Sequence, residues 1–166
     1  MDLPRHNLRI ALLQPQIAPN TGNIARLCVA TGTALHLVRP MGFVLSDRQL
    51  KRSGLDYWPR LRLTLHDDDA AFLQHLQRDG GRPWLFSSHG SRPHWNATFR
   101  NGDWLVFGSE TKGIDSAILD LFADRTLRII QAPGERCLNL STAVGVGLYE
   151  ALRQLPAAAD GTARST

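Results

Sequence analysis

Short apolar runs alternate with longer amphipathic runs along nearly the whole chain, the pattern of strands and helices taken in turn around a mostly parallel sheet. The apolar runs of strand length are residues 8–13, 34–38, 61–65, 84–87, 104–107 and 126–130. Between the first two, residues 21–31 predict a helix with Ile24, Leu27 and Cys28 on one stripe and Gly32 as its stop. A short second helix is expected to start at Ser46, which with Gln49 matches a capping box. Residues 67–78 open with three aspartates, favourable at the positive end of a helix dipole, and place Ala71, Phe72, His75 and Leu76 on one face. Beyond the fifth strand, 108–113 reads as a turn, 115–122 as a short helix, 131–139 as an extended polar loop and 141–155 as the last helix. Ala143, Gly145 and Gly147 would let another element approach that helix closely. The fold class is therefore α/β, with residues 1–155 as a single domain and 156–166, rich in Ala with Gly, Ser and Thr, as a disordered tail.

With 166 residues and 43% hydrophobic content, the chain can bury a core without disulfides or metals. The formal charge of +4 favours a polyanionic partner only weakly. Its two cysteines, Cys28 and Cys137, form no CxxC and no zinc-spaced cluster, so no metal and a reducing compartment are expected. The first residues hold no signal-peptide pattern and no stretch is apolar enough to span a bilayer, so the expected location is the cytoplasm, without a membrane partner.

An α/β chain invites a nucleotide-site reading, but the first strand-to-helix turn, Gln14-Pro15-Gln16-Ile17-Ala18-Pro19-Asn20-Thr21-Gly22, carries no GxGxxG, and the chain has no GxxxxGK[ST] and no GxSxG elbow. Three loop-to-helix segments remain. In Pro19-Asn20-Thr21-Gly22-Asn23-Ile24-Ala25-Arg26, Asn20 or Thr21 can cap a helix whose Arg26 is either functional or simply solvated. Phe107-Gly108-Ser109-Glu110-Thr111-Lys112-Gly113-Ile114 ends a strand where ligands gather, or is a plain surface turn. In Arg136-Cys137-Leu138-Asn139-Leu140-Ser141-Thr142-Ala143, Asn139 or Ser141 caps the last helix.

In order and spacing these three segments resemble the motifs of the SPOUT RNA methyltransferases, in particular the YibK/TrmL-type tRNA 2′-O-methyltransferases. The resemblance runs from about residue 8 to 155. It also takes in Arg39-Pro40-Met41-Gly42-Phe43, Gly54-Leu55-Asp56-Tyr57-Trp58 and Tyr149-Glu150-Ala151-Leu152-Arg153-Gln154. It implies a deep C-terminal trefoil knot, which periodicity cannot reveal, a homodimer, and methyl transfer from S-adenosylmethionine (SAM) to the 2′-hydroxyl of the wobble cytidine or modified uridine 34 in tRNA. By the same resemblance Arg26, Asn20 and Glu110 are the catalytic positions. Arg26 stands beside the ribose, Asn20 fixes the first loop, and Glu110 orients Arg26 across the dimer, holds a substrate hydroxyl or caps a helix. The cofactor positions are Phe86, Gly108, Ile129, Cys137, Leu138, Asn139 and Ser141. Cys137 stands where the family commonly has serine, and Thr142 where it commonly has asparagine.

The dimer is expected to recognise the anticodon arm itself, with Arg48, Lys51, Arg52, Arg92 and Arg153 as candidate contacts or ordinary solvated charges. His89 and His94, on a polar loop with Arg92, suit either phosphate contact or solvated surface; Tyr149 suits dimer packing, and Trp58, Trp95 and Trp104 suit core or interface. The alternatives are a 2′-O-methyltransferase for another tRNA or rRNA position, a non-catalytic RNA-binding or assembly factor on the same scaffold, and a generic nucleotide-binding domain with affinity for NAD or ATP.

Overall fold

The computed structural model describes residues 3–45 and 58–156. The expected helix at Ser46, the candidate contacts Arg48, Lys51 and Arg52, and the tail beyond Pro156 lie outside them. The described elements are β1 (Arg9–Leu13), α1 (Ala18–Thr31), β2 (Ala34–Val38), β3 (Leu63–His66), α2 (Asp69–Asp79), β4 (Pro83–Phe86), β5 (Arg92–Pro93), β6 (Trp104–Phe107), α3 (Ser116–Leu121), β7 (Thr126–Arg128) and α4 (Leu140–Gln154). The strands form one seven-stranded sheet in the order β3-β2-β1-β6-β4-β7-β5, and each pairing within it is parallel.

Because the central strands are covered on both faces, their sequences are near-continuous apolar runs. Ile10, Leu12, Leu35, Leu37, Phe86, Leu105 and Phe107 turn to one face with Ile24 and Cys28 of α1 and Val144, Leu148 and Ala151 of α4. The alternate residues Ala11, Leu13, Val38, Leu85, Trp104 and Val106 meet Phe72 and Leu76 of α2 and Ile118 of α3 on the other. Burial among these aliphatic side chains pushes the Cys28 thiol up to about 12.

Several boundaries differ from the sequence pattern for local reasons. α1 begins three residues early, at Ala18, because Pro19 suits the first turn, and neither Asn20 nor Thr21 caps it; the cap position is Ile17, with no side-chain cap. β3 is delayed by a 3-10 turn over Trp58–Arg60. β7 ends at Arg128, so Ile129 leaves the ladder. Asp68 caps α2 by accepting from the Ala71 N–H at 2.7 Å. Of the small residues on α4, Gly147 is the one that a close approach requires: a Cβ there would stand 2.8 Å from Cζ of Phe86, which stacks on Phe107 with ring centroids 4.6 Å apart.

The α2 face of the sheet holds a histidine cluster. His36 Nδ1 and His66 Nε2 lie 3.0 Å apart, and the His36 ring packs against His66, His75 and Trp104. Burial first, then the neighbouring His66, His75 and Arg9, lowers His36 to about 3. His36 therefore stays neutral in the folded protein while the unfolded chain protonates near pH 6.5, so acid favours unfolding and stability falls as pH drops from about 6.5 toward 3. In His36→Gln the slope of unfolding free energy against pH between 6.5 and 5 should flatten by roughly 1 kcal/mol per pH unit, the contribution of one proton. Chemical denaturation across that pH series checks this, and an unchanged slope contradicts it.

Candidate functional site

A cleft of about 1090 Å³ opens along the C-terminal ends of β1, β4, β6 and β7, the edge of an open parallel sheet where ligands collect. Each strand delivers a loop to it. β1 ends in Leu13 and Gln14, β4 in Phe86 and Ser87, β6 in Phe107 and Gly108, and β7 leads through Ile129 to the extended loop that ends at Asn139.

One carboxylate ties these loops together. Glu110, three residues past β6, accepts from the backbone N–H of Gln16 at 2.7 Å and of Ile17 at 3.2 Å, and from the Asn20 amide at 3.0 Å. It supplies at the entry to α1 the negative charge and acceptor that no local side chain provides. Asn20, 6% exposed, uses its other polar end to accept from Asn139 Nδ2 at 2.9 Å. Asn139 Oδ1 in turn caps α4, accepting from the Ser141 N–H at 2.9 Å and the Ser141 hydroxyl at 2.7 Å. The three segments singled out in the sequence thus share one chain of hydrogen bonds, Glu110 to Asn20 to Asn139 to Ser141.

Glycine is obligatory at 108. A Cβ there would lie 2.0 Å from the carbonyl carbon of Gly113 and 2.3 Å from the Ile114 nitrogen, both backbone atoms that cannot swing aside. The turn closes on itself by paired backbone bonds, Ser109 N–H to Gly113 O at 3.1 Å and Gly113 N–H to Ser109 O at 3.0 Å, with Gly113 at a φ of 71°.

Of the residues selected from sequence, Asn20, Glu110, Phe86, Gly108, Ile129, Cys137, Leu138 and Asn139 line the cleft. Ser141 does not line it and acts on Asn139 from behind. Arg26 is exposed on α1 and is not part of the lining of the cleft. One expectation for the surface is corrected. His94 is neither solvated nor on offer to phosphate: it is 7% exposed, and its burial lowers its pKa. Arg153 is exposed and pairs with Glu150 at 2.8 Å. His89 is exposed and does line the cleft. Trp104 is fully buried, Trp58 packs against the core, and Trp95 is 53% exposed.

Gln14 and Asp69, both on the cleft wall, were not selected from sequence. Gln14 takes a φ of 51°, rare for a residue with a side chain, and donates through Nε2 to Asp69 Oδ2 at 2.9 Å. Burial raises the Asp69 pKa, and its Oδ1 has no hydrogen-bond partner. A glutamine ending a strand carries no sequence signal for that backbone conformation. Among the described residues no group of three or more His, Cys, Asp or Glu is placed to hold a metal ion, and no helix is long and apolar enough to cross a membrane.

The family model described as the SpoU rRNA Methylase family matches residues 7–149. The chain is 45% identical over 149 residues to the tRNA (cytidine(34)-2'-O)-methyltransferase of Escherichia coli (strain K12), covering 89% of this chain and 94% of that one. A solved structure described as giving structural insights into the 2-OH methylation of C/U34 on tRNA superposes with a TM-score of 0.84 at 50% identity, covering 90% of this chain and 96% of that chain. The SpoU methyltransferase AviRb from Streptomyces viridochromogenes, solved in complex with AdoMet, gives a TM-score of 0.75 at 26% identity over 90% of this chain and 58% of that one.

Glu110 and Asn139 hold Asn20 from opposite ends of its amide. Glu110→Ala should cost roughly 1–3 kcal/mol by stranding its donors. In a cycle with Asn139→Ala the two losses should fall short of additivity by about 0.5–1 kcal/mol, because either change alone frees Asn20. Denaturation of the four proteins measures this, and strict additivity would break the proposed linkage.

Proposed function

The chain belongs to the SpoU rRNA Methylase family, and on that footing we propose that it transfers a methyl group from SAM to the ribose 2′-hydroxyl of the wobble nucleotide, position 34, of tRNA. The observation that carries the reading is the convergence of the loops after β1, β6 and β7 on one cleft, tied through Glu110, Asn20 and Asn139. The likeness to a tRNA (cytidine(34)-2'-O)-methyltransferase along 94% of that protein's length supports the substrate, and the AdoMet complex of a fold relative supports the cofactor.

The residues present fit SAM. Residues 131–138 make one backbone–backbone hydrogen bond among the described residues, Glu135 N–H to the Ala132 carbonyl. The other amides and carbonyls of that stretch remain open to pair with an adenine edge, a mode that leaves little side-chain signature. Phe86 and Ile129 give the cleft an apolar floor. Cys137 is exposed on this loop, so the exchange of serine for cysteine alters a side chain without disturbing packing. The reading also takes the C-terminal third as the family's deep trefoil knot.

When bound, SAM supplies a methyl group activated on a sulfonium. What the chain must add is in-line placement of the acceptor oxygen and a destination for its proton. Asn139 and Asn20 set the separation of two loops across the cleft, and Glu110 fixes the third. Arg26 anchors the target phosphate and polarises the 2′-hydroxyl. A guanidinium, with a pKa above about 12, keeps its protons, so the hydroxyl proton passes to an RNA phosphate or to water. Since Arg26 does not line its own subunit's cleft, it serves the cleft of a second copy, and the working unit is a homodimer. The half-exposed Tyr149 on α4, the helix that packs on α1, suits the face between the copies.

Arg26→Ala should abolish methylation while SAM still binds, as read by methyl transfer to tRNA and by calorimetry. Co-expressed with a variant crippled in the cleft, such as Asn139→Ala, it should regain up to about a quarter of wild-type activity, because one of the two sites in each mixed dimer is intact. Mass mapping should place the ribose methyl at nucleotide 34. Turnover by Arg26→Ala alone, or mixed dimers with no activity, would refute the role in trans.

A further inference from the structure

Among the described residues β5 is the outer strand of the sheet, paired with β7 alone, and the chain around it is poor in acids. From Gly80 to Gly102 the chain has no Asp or Glu but three arginines, Arg82, Arg92 and Arg100, and β7 beside it brings Arg128. Among the described residues Arg92, Arg100 and Arg128 enter no ion pair, while Arg82 is neutralised by Asp103 at 2.7 Å. The nearby carboxylate of Glu150 is taken up by Arg153 and by the Gln154 amide. Arg92 is held in place, its guanidinium over Trp84 and bonded to the Asn96 carbonyl.

On this strip stands Trp95, 53% exposed, the most exposed aromatic among the described large apolar side chains apart from the equally exposed Tyr149. It is firmly based. His94, buried beneath the surface, lies 5.0 Å from it between ring centroids, and the 3-10 turn His94–Asn96 closes through the Ala97 N–H on the His94 carbonyl. Its position follows from the ladder. Pro93 is level with Arg128, the residue before Ile129 of the cleft wall, so the turn that bears Trp95 leaves the sheet one strand away from the cleft and in the same direction. His89, on the connection between β4 and β5, lines the cleft and bridges the two.

We propose that Trp95, with Arg92 bonded to its own turn and Arg128 on the paired strand, is a stacking platform for an unpaired base of the RNA loop whose neighbouring nucleotide enters the cleft. The inference rests on the functional reading above and adds the feature that holds the loop in register. A rigid indole on a cationic strip offers a π-face to any base and guanidinium groups to the flanking phosphates, which is how single-stranded nucleic acid is gripped without sequence readout. A second copy of the chain could also cover such an aromatic side chain. The absence of acids along the strip and its unpaired arginines favour a polyanion instead.

The test uses the full chain, an anticodon stem-loop RNA and whole tRNA, with Trp95→Ala and Trp95→Phe. Trp95→Ala should raise the KM for tRNA roughly tenfold, the loss of one stacked base, with kcat and the KM for SAM unchanged, and Trp95→Phe should restore most of it. Titrating the stem-loop should quench wild-type tryptophan emission, and that quenching should vanish in Trp95→Phe, where a ring remains but the reporting indole does not. An unchanged KM for tRNA in Trp95→Ala overturns the platform while leaving the methyltransferase reading intact. A change of oligomeric state in Trp95→Ala by sedimentation overturns it in favour of subunit packing. A wild-type protein that neither binds nor methylates tRNA removes the functional reading and the platform with it.

Discussion

The carboxylate of Glu110 sets the geometry on which the cleft depends. A parallel sheet delivers strand ends to one edge but leaves the loops beyond them unconnected, and loops that must pair with a ligand cannot also bury themselves in the core. Here one side chain accepts two backbone amides ahead of α1 and one amide of Asn20, so the β6 loop and the β1 loop become one body. Asn20 then passes the constraint to Asn139 at the head of α4. A charge-assisted contact to backbone N–H groups is stronger than a neutral one and directional, which suits a part that holds position while its surroundings remain open to solvent.

The rest of the architecture serves that edge. Apolar side chains on both faces of the sheet make β1, β6 and β4 a rigid platform. The bare α-carbon of Gly108 lets the turn after β6 fold back onto Gly113 and Ile114 at a distance that no side chain allows, and Gly147 lets α4 settle on the stacked Phe86 and Phe107. At the other side of the sheet His36 and His66 pack with Trp104 in the core, where burial lowers both imidazole pKa values, so the same packing that stiffens the sheet makes its stability fall in acid.

The strands were legible because burial on two faces writes itself as uninterrupted apolar residues, and β2 and β6 coincide with their runs to the residue. α2 was legible from its phase and its aspartates. Contacts between residues far apart in sequence left weaker traces. Asn20 looked like a helix cap, yet the acceptor at the start of α1 comes from Glu110, ninety positions away along the chain. His94 looked like surface because its neighbours are polar, but its cover comes from elements distant in sequence. The two-residue β5 is too short to carry any period. That Arg26 lies off the cleft is set by the phase of α1, whose buried face runs through Asn20, Thr21, Ile24, Ala25 and Cys28.

The central claim is that three loops act as one unit around the methyl donor. Hydrogen–deuterium exchange, read segment by segment with and without SAM, tests it most directly. The account expects slowed exchange together at Gln16 and Ile17, at 108–113 and at 136–142, the first pair being joined to the others by hydrogen bonds through Glu110 and Asn20. Protection confined to the last loop, with the amides of Gln16 and Ile17 exchanging as freely as before, would contradict it.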